Sequence, residues 1–255
     1  MNKLIVISSG KGGVGKTTTA VNLGAAMRHF GKDVVIVDAN LSTPNVGIHL
    51  NSPEVPISFN DVLKKRADLH EAVYEHHSGL KIIPSSLSIK ELKKTKPQKM
   101  KELKKELSKL SEYVIIDSAA GLGEEAIAAI EMADELILVT NPEMPAITDA
   151  LKTIKLAEQQ GVTVKGVIVT RVRKDKVELQ PETVKDMLEV PVMGMIPEDL
   201  TIKKAVNRKN PVIHTHPTSK PSRAYKEIVA KLLDVEYDSK KDRPPFFKRI
   251  FSKRE

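Results

Sequence analysis

The 255-residue chain has no cysteine and no tryptophan, and aromatic residues make up only 4% of it. Without cysteine there is no disulfide, no thiolate zinc site and no cysteine-ligated iron–sulfur cluster. The histidines offer only weak pairs, His76-His77 and His214-x-His216, which read as loop residues. No apolar run approaches the ~20 residues that cross a bilayer as a helix. No signal-peptide core precedes the first apolar segment, so a cytoplasmic location is expected. No Pro-, Gly- or Ser-rich linker splits the chain, which favours one α/β domain with a well-buried core.

What is present is strongly patterned. Apolar runs of strand length recur at residues 4–7, 34–37, 80–83, 113–116, 136–139, 164–169 and 192–196, with helical patterns between them. They do not alternate with polar residues, as expected of strands buried on both faces of a parallel sheet. Strand and helix in turn predict a doubly wound, mostly parallel sheet flanked by helices. Ligands bind such sheets at the carboxyl ends of the strands, so the residues following each run are the candidates for function.

After the first run comes Gly10-Lys11-Gly12-Gly13-Val14-Gly15-Lys16-Thr17-Thr18, and a helical stretch follows. Strand, glycine loop and helix are the context that a P-loop requires. The glycines let backbone N–H groups converge on phosphate oxygens, and the helix adds its positive dipole end. Lys16 is placed to meet the β- and γ-phosphates and Thr17 to offer a hydroxyl to Mg²⁺. After the second run, Asp38 puts a carboxylate at a strand end, followed by the polar loop Ala39 to Asn45. That arrangement suits metal-water coordination and a nucleotide-sensing segment. After the fourth, Val114-Ile115-Ile116-Asp117 has the Walker B form, with Gly121 and Gly123 beyond it as hinge candidates.

The loop Lys11-Gly12-Gly13-Val14-Gly15-Lys16-Thr17 resembles the deviant Walker A motif of the MinD/ParA ATPases at every fixed position. The resemblance implies ATP or ADP with Mg²⁺ as ligands, and a role for Lys11 across a nucleotide-sandwich homodimer. It implies that Asp38 and Asp117 share the metal shell with Thr17. The segment after Asp38 is then switch I, and Asp117-Ser118-Ala119-Ala120-Gly121 is switch II. Where the family usually has an aspartate to position the attacking water, this chain has Asn40; an amide orients a water but does not take its proton. The resemblance places Thr170, Arg171, Pro197, Glu198 and Asp199 around the adenine, although many members have Asn at the Thr170 position. It also puts Asp149, after Asn141-Pro142-Glu143, near the dimer face.

The formal charge is +8, and residues 238–255 hold +4 of it. A basic end favours an anionic partner. Residues 236–245 read as a linker after the domain spanning 1–235. In the tail, 246–255, a helix would put Phe246, Phe247, Ile250 and Phe251 within an arc of about 140°. Lys248, Arg249, Ser252 and Lys253 would lie outside that arc, as in an interfacial membrane-binding helix. MinD proteins end in a similar helix. The lysine-rich segment 90–110 repeats Leu103, Leu107 and Leu110 on one helical face and reads as a solvated amphipathic element. It has no interleaved aromatics for stacking on bases.

The combined expectation is a slow, Mg²⁺-dependent ATP hydrolase of MinD type, stimulated by dimerisation or a partner. It would sit peripherally on the inner face of the cell membrane, bound to anionic lipid and read by an adaptor protein, with no specific nucleic acid. As a spatial regulator it would serve cell division or another positioned assembly. A ParA-like partition ATPase binding DNA nonspecifically is the alternative, and a P-loop metabolic enzyme is a third reading.

Overall fold

The computed structural model describes residues 2–88, 90–91, 95–173, 175 and 177–242. All seven apolar runs are strands: β1 (Lys3–Ser8), β2 (Val34–Ala39), β4 (Lys81–Ile83), β5 (Tyr113–Ser118), β6 (Glu135–Thr140), β7 (Thr163–Val172) and β8 (Val192–Pro197). A further two-residue strand, β3 (Tyr74–Glu75), pairs antiparallel with β4 at the edge. It has no apolar run to announce it. Its Tyr74 hydroxyl accepts from Ile57 N–H and donates to Ile57 O, bracing the edge.

The sheet order is β3-β4-β2-β5-β1-β6-β7-β8, parallel except at β3–β4. Successive residues of β1 face opposite layers. Leu4 and Val6 pack with α3 (Phe59–Leu63), α5 (Glu124–Met132), α6 (Met144–Gln159) and α7 (Pro181–Leu188). Ile5 and Ile7 pack with α1 (Lys16–His29), α2 (Val46–His49), α8 (Leu200–Asn207), α9 (Val212–Thr215) and α10 (Lys220–Leu233). Both faces are therefore covered, which is why the strand runs are uniformly apolar. From β1 the chain first crosses to one side of the sheet, and from β5 to the other, so the loop after β1 opens at the switch point.

The lysine-rich segment is not one helix. A 3₁₀ turn over Pro97–Leu103 runs into α4 (Lys104–Leu107). Met100 and Leu107 are buried, and Leu103 and Leu110 pack beside them. The described part of the expected linker is fastened down. Tyr237 stands edge-on to Phe30, and its hydroxyl donates to Asp242 at 2.7 Å. Asp242 also pairs at 2.6 Å with the buried Lys226. The amphipathic tail expected at 246–255 lies outside the described residues. Among the described residues no helix is long and apolar enough to cross a membrane.

Candidate functional site

Loop geometry at the end of β1 depends on its glycines. Gly13 and Gly15 have φ of +78° and +97°, a left-handed backbone that lets the loop wrap before α1 begins at Lys16. Gly10 is needed for a different reason: a Cβ there would lie 2.2 Å from the Asp149 carbonyl carbon of α6. The loop is further tied to switch II, because Gly121 N–H donates to Ser9 O at 2.8 Å.

Lys16 and Asp117 are brought together as expected. Lys16 is buried, and burial lowers its pKa while Asp117 and Asp38 pull it back up. The Thr17 hydroxyl donates to Asp117 Oδ2 at 2.6 Å. Asp117 Oδ1 is buried with no hydrogen-bond partner among the described residues. Burial pushes the Asp117 carboxyl up to about 6, against the opposing pull of Thr17 and Lys16. A hydroxyl and a carboxylate oxygen that is desolvated yet unsatisfied form a donor set suited to a hard, oxygen-preferring cation such as Mg²⁺.

Asp38 is neighbour to Asp117 across the β2–β5 register and is fully buried. Its Oδ2 accepts from Asn45 N–H and Val46 N–H, each at 2.9 Å, and its Oδ1 from Asn40 N–H at 3.2 Å. Burial, and the charge of Asp117, raise its pKa well above the usual carboxylate range. Both oxygens of Asp38 thus hold the switch I backbone. Asn40 is also committed locally: its amide donates to Thr43 O at 2.7 Å, and its Oδ1 accepts from the Thr43 hydroxyl at 3.1 Å and Thr43 N–H at 3.3 Å.

Beyond the loop lies a cleft of about 540 Å³. Thr170, Arg171, Pro197, Glu198 and Asp199 line it together with Val14, Gly15 and Thr18. Their roles divide. The buried Thr170 hydroxyl points at Val14 O (2.5 Å), Asn141 Oδ1 (3.0 Å) and Thr140 O (3.2 Å), so it braces the P-loop. Arg171, at φ +56°, interrupts the β7–β8 register. Glu198 pairs with Arg173, and Asp199 caps α8 through Thr201 N–H at 2.9 Å.

Four residues of the site leave no signal in the sequence. His49 on α2, and Asn207 and Tyr225 on α8 and α10, also line the cleft. They come from elements that meet only in the folded chain. Glu125, in the first turn of α5, accepts from both the hydroxyl and the N–H of Ser42 and so latches switch I to the helix after switch II. Ser42 and Glu125 lie 83 positions apart, so no local pattern links them.

Residues 5–212 match the CobQ/CobB/MinD/ParA nucleotide-binding domain. An uncharacterised ATP-binding protein of Methanocaldococcus jannaschii is 39% identical over 248 residues, covering 96% of this chain and 94% of the relative. Among solved structures, the septum site-determining protein MinD of Pyrococcus horikoshii, complexed with Mg-ADP, superposes with a TM-score of 0.88 at 33% identity. It covers 91% of this chain and 96% of that one. MinD in the MinC:MinD cell division complex of Aquifex aeolicus gives a TM-score of 0.82 at 29% identity, covering 92% of this chain and 97% of that one.

Proposed function

Since the chain belongs to the CobQ/CobB/MinD/ParA nucleotide-binding family, we propose that it is a MinD-like ATPase that dimerises with ATP and docks reversibly on a membrane. The observation that carries this reading is the contrast between two lysines on one loop. Lys16 is buried beside Asp117 and Asp38. Lys11, five residues earlier, is exposed on the loop, and no hydrogen bond or ion pair engages its ammonium among the described residues. One cation serves the subunit's own phosphates, and the other is available to a second subunit. Leu122, Met144 and Leu200, which follow the carboxyl ends of β5, β6 and β8, are also exposed, an apolar surface that such a partner would cover.

In this reading the amides of Gly12 to Thr18 and the Lys16 ammonium hold the polyphosphate. Thr17 and Asp117 would hold Mg²⁺, which would neutralise phosphate charge. Asp38, which grips the switch I backbone, would join that metal shell through water, and Asn40 would orient the attacking water. Arg171, Pro197, Glu198 and Asp199 frame the base. Membrane binding falls to Phe246, Phe247, Lys248, Ile250 and Phe251, supported by the amphipathic pattern of the tail. An adaptor would read the ATP state, in a role of spatial organisation. The MinD structure solved with MinC supports that last point by analogy.

Light scattering with MgATP tests the dimer. Wild-type protein is expected to double from the 28.2 kDa of one chain, while Lys11→Ala binds nucleotide but stays at that mass. A dimer that persists in Lys11→Ala would remove the cross-subunit role.

A further inference from the structure

We propose that His49 lies against the purine face of the bound nucleotide, an inference that rests on the reading of the 540 Å³ cleft as the adenine site. Four polar side chains of that cleft are already engaged. The Thr170 hydroxyl braces Val14 O, Glu198 is paired with Arg173, Asp199 caps α8, and the Tyr225 hydroxyl bonds Thr19 at 3.2 Å. The ring nitrogens of His49 have no hydrogen-bond partner among the described residues.

His49 is held in place at its backbone. It is the last residue of α2, whose first amides are gripped by Asp38 Oδ2 and whose His49 N–H donates to Asn45 O at 2.9 Å. The turn after it is closed by Ser52 N–H on Gly47 O at 2.8 Å, so tightly that a Cβ on Gly47 would lie 2.4 Å from Ser52 O. Burial, with Lys209 nearby, pushes the His49 pKa down to about 4, so near neutral pH the ring is an uncharged flat surface. A neutral aromatic ring at the wall of this cleft is suited to stack on a base.

The test compares two ligands by calorimetry on the full chain: Mg-ADP, which fills both loop and cleft, and Mg-pyrophosphate, which fills the loop alone. His49→Ala is expected to weaken ADP about tenfold while pyrophosphate stays within twofold. His49→Phe, which keeps a flat ring, is expected to bind ADP within threefold of wild type. Equal losses for both ligands, an unchanged ADP affinity in His49→Ala, or a His49→Phe variant as weak as His49→Ala would each overturn the stacking role. Failure of the wild-type protein to bind ADP would instead overturn the reading of the cleft on which the proposal rests.

Discussion

Burial pushes the Asp117 carboxyl up to about 6, from an ordinary value of 3.8, and its Oδ1 has no partner among the described residues to offset that cost. The folded chain therefore binds this proton more tightly than the unfolded chain does. The contribution to stability is full below pH ~4, falls as pH rises towards 6 and stays low above that. Asp117→Asn should thus raise the melting temperature of nucleotide-free protein at pH 7.5 relative to wild type, and much less at pH 4.5. It should also lose the stabilisation conferred by Mg-ADP. Melting curves at the two pH values, with and without Mg-ADP, check this; a nucleotide-free difference that is the same at both would contradict it. Asn40 poses a second question at this scale. Asn40→Asp keeps both acceptor contacts with Thr43 but sets a carboxylate oxygen against Thr43 O. Phosphate-release assays are expected to show faster basal hydrolysis, because a base is restored. Slower hydrolysis would show that the amide's grip on Thr43 matters more than the missing base.

At the scale of elements, switch I hangs from two carboxylates. Asp38 holds its backbone at Asn40, Asn45 and Val46, and Glu125 holds Ser42 from the far side of switch II. Glu125→Ala removes one attachment from an exposed position, so the global stability should change by no more than about 1–2 kcal/mol. Hydrogen exchange over residues 40–45 should nonetheless become clearly faster in nucleotide-free protein. Unchanged protection there would mean that Asp38 alone fixes the loop. The parts legible from sequence and the parts hidden divide along the same line. β1, the glycine loop and α1 were readable because a motif and an apolar run coincide at one place in the chain. Asp117 was readable because its strand precedes it directly. The Ser42–Glu125 latch spans 83 positions, and His49 and Tyr225 come to line one cleft only in the folded chain, so neither leaves a local pattern. Thr170 lines the cleft, and its hydroxyl bonds Val14 O, a contact 156 positions away that no local pattern announces. The segment 236–242 reads as linker from its charge, and only the fold shows Lys226 waiting for Asp242.

For the whole molecule, the account joins two features at opposite ends of the sequence: a P-loop with an exposed second lysine and a basic tail with three of the chain's five phenylalanines. A single tail of this length is a weak anchor, worth roughly 1.5–3 kcal/mol per buried apolar side chain before ordering costs. Two tails joined in one dimer bind far more tightly through effective concentration. The most direct measurement is co-sedimentation of the wild-type chain with anionic liposomes, comparing a nonhydrolysable ATP analogue with ADP. The account predicts several-fold more protein in the lipid pellet with the ATP analogue. Equal pelleting in the two nucleotide states, or no pelleting in either, would contradict it.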